Sequence, residues 1–599
     1  MSAKYVIGID LGTTNSVLAY AALDAEQPQV ELLAIPQLVA AGTIEARATL
    51  PSFAYLPHEQ EIAGGAFDLP WQSSARIAIG EFARRQSAEV PDRTISAAKS
   101  WLCHSRVDRH QPILPWNAPA DVPKLSPVTA SRRYLEHLAG AWQAAFPDAP
   151  LGEQLVVLTV PASFDASARE LTREAALAAG LPAHLVLLEE PQAAVYAWLT
   201  SVGERWRKVL KVDDRLLVCD VGGGTTDLTL VGVAEEKGEL TLRRLAVGNH
   251  LLIGGDNMDL ALAHFVASKF AEKGVKLDPW QSVSLWHSCR AAKEALLAPL
   301  GPPTHTISVL GRGSRLIGGT VSVEVAREEV SQLLVDGFLP RCELAERPKR
   351  TRASGFQEIG LPYEADTAIT RHLAAFLQAH GDASQATIPT QLLFNGGVFK
   401  ADSLRTRLVE VLGDWANKLG DHSTASRVLE GDHDLDHAVA RGAAYYGWTK
   451  ERGGVRIRGG TARSYYVGIE TAGLAIPGAP RPLRALCVVP FGMEEGTECD
   501  IPSGNVGLVV GEPATFRFFN SSTRKHDQPG ELVSHWTEEE IVESDSLEAT
   551  LPADPQHSDG NYVPVRFQAK ITELGVFELW CVSTTNNERW KLEFSVREE

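Results

Sequence analysis

Short apolar runs that end in an acidic residue and a glycine turn recur along the chain, and two of them share one layout. Tyr5-Val6-Ile7-Gly8-Ile9 leads into Asp10-Leu11-Gly12-Thr13-Thr14-Asn15-Ser16. Leu216-Leu217-Val218-Cys219 leads into Asp220-Val221-Gly222-Gly223-Gly224-Thr225-Thr226-Asp227. Each reads as strand, tight turn and return strand, with an aspartate at the end of the first strand. Glycines let a backbone turn sharply and bring its N–H groups against phosphate oxygens, threonine hydroxyls add donors, and a strand-end aspartate can hold a metal or its waters. A single copy is compatible with an ordinary turn. Two copies in the same order predict paired lobes around a phosphate.

From residue 1 to about 448 apolar strands alternate with helical stretches, which predicts an α/β domain. Leu155 to Val160 reads as a buried strand broken by Pro161, and Asp165 can cap a helix that ends at Gly180. Leu185 to Leu188 is the next strand. Asp256 begins a helix with Leu262, Phe265, Val266 and Phe270 on its buried stripe, right after Gly254-Gly255, and helix amino termini attract anions. Gln391 to Phe394 leads through Asn395-Gly396-Gly397 into a helix with Leu404, Leu408 and Leu412 on one face. Asp436 can cap an alanine-rich helix whose small side chains permit close packing. Lys450 to Arg463 is rich in glycine and arginine, so 449–464 reads as a linker. From 465 to 599 the pattern turns strand-like, with alternating apolar positions in Val565 to Ile571, Val576 to Val582 and Trp590 to Val596, which predicts a second, all-β domain.

Length and charge agree with this division. A chain of 599 residues exceeds what one core supports. A net charge of -18 argues against nucleic acid or an anionic membrane as the main partner. The seven cysteines, at 103, 219, 289, 342, 487, 499 and 581, are scattered without metal-ligand spacing, which fits a reducing compartment. No signal peptide and no apolar run of about 18 residues is visible, so the expected location is the cytoplasm.

Taken in order, Gly8 to Ser16, Thr159-Val160-Pro161-Ala162-Ser163-Phe164, Glu190-Pro191-Gln192-Ala193-Ala194, Asp220 to Thr225 and Gly254-Gly255-Asp256 resemble the DnaK-type seventy-kilodalton heat-shock chaperones of the actin and hexokinase ATPase superfamily. Val467 to Gly473 and the Val565 to Val582 hairpin are similar to that family's β-sandwich substrate-binding domain. The resemblance implies an actin-like two-lobed ATPase followed by a β-sandwich, with ATP or ADP and magnesium as cofactors and potassium as a further candidate ion. It implies that Asp10 and Asp220 hold the magnesium waters, that Glu190 supports that shell and helps position the attacking water, and that Thr13, Thr14 and the backbone of Gly222, Gly223, Gly224 and Thr225 clasp phosphate. It also implies that Asp227 orients the nucleophile and Lys99, in Thr94 to Lys99, stabilises the transferred phosphoryl group. Catalysis of this kind is positioning plus electrostatics. Taken singly, Glu190 could end a strand, Lys99 could be a surface lysine and Asp227 a turn residue. Gly12, Asn15, Gly254, Gly255, Asp256, Lys293, Gly396, Gly397, Val398 and Asp436 complete the expected nucleotide contacts.

The chain also departs from the family. On the adenosine helix, Arg290 stands where a glutamate is expected and Leu297 where a serine is, with Lys293 alone matching, and Val398 replaces a serine. The stretch from Gly453 to Gly460 is basic where the family linker is acidic and leucine-rich. Val186 replaces an arginine used by J-domain partners and Glu189 replaces an asparagine, which argues against the usual J-protein docking. The chain stops at Glu599, where family members continue into a helical lid, so a lidless member is expected. The basic run Glu346 to Arg352 reads as a solvated loop. The leading expectation is a slow ATPase that regulates binding of an unfolded peptide or protein by the β-domain, with a dedicated co-chaperone or exchange factor as a further partner. A nucleotide-gated scaffold with little hydrolysis is the alternative, and a small-molecule kinase a more distant one.

Overall fold

The computed structural model describes residues 3–592 apart from 105, 117, 237–238, 310–319, 350–360, 362, 381–387, 421–425, 432–433, 454–456, 459–460, 462, 472–481, 494–496, 539, 545, 553–561, 572–576 and 586–587. Two sheets carry the same strand order. In the first, Tyr5–Leu11 has Asn15–Ala22 antiparallel on one side and Leu155–Val160 parallel on the other, with Glu31–Leu32 and Val186–Glu189 beyond them. In the second, Arg215–Val221 has Thr226–Glu236 antiparallel and Gln391–Asn395 parallel, with Glu239–Val247 and Arg427–Val428 beyond. The central strands are buried on both faces, which is why they read as unbroken apolar runs.

The repeat extends to the register. Asp10 lies opposite Thr159 and Asp220 lies opposite Asn395, so each strand-end aspartate has a polar partner at the end of its parallel neighbour. Between the sheets runs the helix Ala438–Arg452, packed on the strand Tyr5–Leu11 and on the helix Glu190–Val202. Small residues make that approach possible: a Cβ at Gly442 would fall 1.7 Å from the Ala193 carbonyl oxygen, and one at Gly8 would fall 2.3 Å from that of Ala440. This packing fixes Glu190, at the start of its helix, against the Asp10 strand.

Local expectations fare unevenly. Asp165 accepts from the Ala168 amide at 2.8 Å and caps the helix Ala166–Ala178. The strand expected from Leu185 runs Val186–Glu189. Leu262, Val266 and Phe270 are buried as expected, with Phe265 only partly so. The helix there begins at Gly255, one residue before Asp256, because Gly254 takes the cap position and its amide donates to the Asn257 side chain at 2.9 Å. Asp436 does not cap the helix that follows. His437 holds that position, and Asp436 is drawn 2.6 Å from the Lys400 ammonium instead.

Past Arg452 the described part of the basic stretch is Gly453, Ile457 and Arg458. The other residues of the expected linker motif, 454–456 and 459–460, lie outside the described residues. Ile457–Arg458 extends the second sheet, pairing parallel with Leu242 and Arg243, and the Ile457 amide donates to the Tyr196 hydroxyl at 2.9 Å. The Ile457 side chain is buried, so the described part of the stretch lies along that sheet edge. Beyond it, two antiparallel sheets face each other across a shared core that includes Val467, Leu486, Ile501, Phe567 and Leu579. Residues 593–596 and Val576 of the expected hairpins, Ala472 and Gly473, and Arg350 to Arg352 of the basic run lie outside the described residues. Among the described residues, two cationic side chains on or beside these sheets hydrogen-bond to the α/β part. Arg463 donates to the Ser163 carbonyl at 3.3 Å, and Lys525 to the Leu245 carbonyl at 3.0 Å.

Candidate functional site

The two glycine turns meet face to face. A Cβ on Gly223 would lie 1.9 Å from the Thr14 hydroxyl oxygen, and one on Gly224 would lie 3.1 Å from the Thr13 methyl carbon, so the turns pack because the second one is glycine. Beside them opens a cavity of about 700 Å³, within the usual range for a small-molecule site. Its walls include Asp10, Gly12, Thr13, Thr14, Asn15, Lys99, Glu190, Asp220, Gly222, Gly223 and Thr225 at one end. Gly255, Asp256, Lys293, Gly396, Gly397, Val398 and Asp436 line the other parts. Three expected residues stay off the wall. Gly224 faces Thr13 and Ser100, Gly254 packs on the Gly222–Gly223 backbone, and Asp227 lies behind the turn.

At the charged end one ammonium faces three carboxylates. Lys99 is buried and ion-paired with Glu190. Thr159 donates to Asp10 at 3.2 Å and Asn395 to Asp220 at 2.7 Å. Burial pushes Glu190 up to about 8, with Lys99 opposing and Asp10 and Asp220 adding to the rise. Burial also lifts Asp220 to about 7 against the Asn395 hydrogen bond, and raises Asp10 against Lys99. For Lys99 burial favours the neutral amine, but Glu190, Asp10 and Asp227 outweigh it and hold the group above its ordinary value. The cluster is short of positive charge. Among the described residues no three acidic, histidine or cysteine side chains come close enough to ligate one ion directly. The donor set therefore fits a cation held through waters and phosphate oxygens better than one caged by side chains.

Behind the turn, Asp227 is held by groups that sequence reasoning left without a role. Ser163 donates to Asp227 Oδ1 and lies 2.6 Å from His250 Nδ1, while His250 Nδ1 is 3.7 Å from the same carboxylate oxygen. Burial would raise Asp227, but the His250 hydrogen bond and charge overcome it and hold the carboxyl below its usual range. His250 shifts the opposite way. Burial lowers it, and the Cys103 thiol and Asp227 together carry it well above the ordinary histidine value.

The other end of the cavity is self-neutralised. Arg290 donates to Asp259 at 2.8 Å and to Asp256 at 2.5 Å, and Lys293 pairs with Asp259 at 2.7 Å and donates to the Gly255 carbonyl at 3.1 Å. Asp259 is one turn past Asp256 on the same helix, and nothing in the local sequence marks it. Arg290, which looked like a charge reversal, has its counter-charge there. The anion-attracting start of the helix is also engaged, since the Gly255 and Asp256 amides donate to the Gly222 and Gly223 carbonyls at 3.0 and 2.7 Å. Leu297, Ala298, Pro299, Val398, Leu404 and Leu435 supply apolar wall.

Residues 71–344 match the family model described as Hsp70 protein. The chaperone protein HscA of Enterobacter sp. (strain 638) is 31% identical over 275 residues, which cover 44% of this chain and 38% of that relative. The chain thus matches well under half the length of that curated relative.

Proposed function

We propose, from the match of residues 71–344 to the Hsp70 family model, that the chain is a chaperone-like ATPase. In this reading residues 1–448 form an actin-like two-lobed nucleotide-binding domain, 449–464 a linker and 465–599 a β-sandwich that binds an extended segment of an unfolded client. The observation that carries the reading is the pair of register-matched aspartates, Asp10 and Asp220, at one cavity with a single buried lysine. Thr13, Thr14 and the glycine turn orient the triphosphate, the Lys99 ammonium offsets charge that grows on the transferred phosphoryl group, and Asp227 orients the attacking water. Asp10, Asp220 and Glu190 would hold the hydrated magnesium that accompanies ATP. That ion supplies charge neutralisation at the phosphates. The apolar wall around Leu297 and Val398 takes the base, with Arg290 and Lys293 at its edge.

The β-sheets suit strand-like recognition of a peptide, by backbone pairing and side-chain pockets. The Ile457–Arg458 pairing supports communication with the lobes, since a strand that adds to a sheet edge responds to that sheet's geometry. Free thiols at all seven cysteines and the acidic composition support a cytoplasmic location. A dedicated co-chaperone or exchange factor, in place of usual J-protein docking, belongs to the same reading.

The nucleotide-gated scaffold remains the second reading, favoured by the self-neutralised base end. Hydrolysis of radiolabelled ATP with a panel of unfolded peptides separates them. The chaperone reading expects peptides to accelerate phosphate release. Tight ATP binding with peptide-independent, negligible turnover would replace it with the scaffold, and phosphate transferred to an added metabolite would replace both with a kinase.

A further inference from the structure

Asp227 has no counterpart in the first sheet. It lies opposite Asp220 across the strand pair, whereas the matching place opposite Asp10 is held by Val17. Residues directly opposite on antiparallel strands share a face, so the two aspartates leave the second sheet together. The loop after Glu239–Val247 is bonded to the Asp227 strand on both sides of that residue. The Gly248 amide donates to the Leu228 carbonyl at 2.8 Å and the Thr226 amide to the Leu251 carbonyl at 2.9 Å, which brings His250 up against Asp227. Ser163 arrives from the first sheet, in the turn after Leu155–Val160 that the Phe164 amide closes on the Pro161 carbonyl at 3.2 Å. The Phe164 ring stands edge-on to the imidazole at 5.7 Å.

Proton counting orders the three side chains. An ionised carboxylate only accepts, so Ser163 gives its single hydroxyl proton to Asp227 Oδ1. His250 Nδ1 is 2.6 Å from the same hydroxyl oxygen and 3.7 Å from Asp227 Oδ1. A lone pair on that nitrogen would face the lone pairs of the serine oxygen, so Nδ1 carries a proton and donates it to Ser163. The hydrogen bonds thus run one way, from imidazole to hydroxyl to carboxylate. No hydrogen bond among the described residues engages Asp227 Oδ2.

We propose that Ser163 and His250 are positioning residues for hydrolysis, which by committing Asp227 Oδ1 turn Oδ2 toward the water that attacks the terminal phosphoryl group. This role rests on the ATPase reading above. In the step they serve, the water oxygen bonds to the γ-phosphorus as the bond from phosphorus to the bridging oxygen breaks. That electron pair goes to ADP, and both water protons stay with inorganic phosphate. Asp227 accepts a hydrogen bond from the water and needs a fixed direction more than basicity. A carboxylate held at one oxygen keeps that direction, and a reacting group about 1 Å out of place costs on the order of 10²-fold in rate.

Single-turnover hydrolysis and equilibrium ATP binding, both measured on the full chain, test the assignment. Ser163→Ala and His250→Leu should each slow hydrolysis by about 10- to 100-fold, while ATP binds within about threefold of the native chain because neither side chain lines the cavity. His250→Asn, whose side-chain amide places an N–H near the position of Nδ1, should recover most of the loss, and Ser163→Thr, which keeps the hydroxyl, should do the same. Combining Ser163→Ala with His250→Leu should be no slower than Ser163→Ala alone, since the imidazole acts through the serine. Native rates in both single variants would overturn this inference and leave the ATPase reading standing. So would His250→Asn as slow as His250→Leu with ATP still bound by both. Loss of ATP binding in step with hydrolysis would reduce the two residues to packing and overturn the inference too, whereas no hydrolysis by the native chain would overturn it together with the ATPase reading.

Discussion

The two ends of the central cavity balance their charges in different ways. At the charged end Asp10, Asp220 and Glu190 share one ammonium, and burial holds all three carboxyls above their ordinary values. At the opposite end Arg290 and Lys293 are matched by Asp256 and Asp259 within the protein. The first end is built to receive positive charge together with its ligand. The second has spent its charges on itself and has shape and apolar surface left for recognition. An anionic ligand with a counter-ion at one tip and a flat, weakly polar body at the other fits that division.

The largest effect should come from emptying the charged end of its carboxylates. Asp10→Asn combined with Asp220→Asn should reduce hydrolysis by about 10²–10³-fold and flatten its magnesium dependence, read by phosphate release across a magnesium titration. Retained magnesium dependence would mean that the two aspartates do not define that end. At the other end, Asp259→Asn leaves Arg290 and Lys293 without their shared counter-charge in a buried setting. A stability loss of about 3–5 kcal/mol is expected by chemical denaturation, because removing one partner strands the others.

A smaller effect follows from the protonation of the carboxylates. Glu190 and Asp220 take up protons more readily folded than unfolded, so the folded chain binds more protons between their ordinary values near 4 and their raised values of about 8 and 7. Their contribution to stability is thus present at low pH and lost as pH rises through the raised values. Without ligand the unfolding midpoint should fall between pH 5 and 8, and magnesium with ATP should flatten that slope, as differential scanning calorimetry would show. The smallest effect belongs to the apolar wall. Leu297→Ser should change the preference between ATP and GTP by only a few fold in competition binding, since apolar pockets discriminate weakly. A large change would mean that the base end recognises by hydrogen bonds after all.

What could be read beforehand was local. The glycine-threonine turns, the Asp165 cap and the Leu404, Leu408 and Leu412 face depend on neighbours a few residues away, and their chemistry shows in the sequence. The partners of the charged groups are another matter. Asn395 reaches Asp220 across 175 positions and Ser163 reaches His250 across 87, and such pairs form only when the sheets are assembled. One signal was available: Thr159 and Asn395 each lie within two residues of the proline or glycine that follows an apolar strand, in the same place relative to their aspartates. The cap at Gly254 and the Lys400 pairing of Asp436 were hidden for the same reason, because two aspartates suited to capping were claimed by distant or neighbouring cations.

The central claim is that the charged end hydrolyses ATP with Lys99 as the group that meets charge on the transferred phosphoryl. Single-turnover hydrolysis by the native chain and by Lys99→Ala, with equilibrium ATP binding measured alongside, tests it most directly. The account predicts that the variant binds ATP within a few fold of the native chain and hydrolyses it at least about 10²-fold more slowly. Equal hydrolysis rates in the two proteins, or no hydrolysis in the native chain, would contradict it.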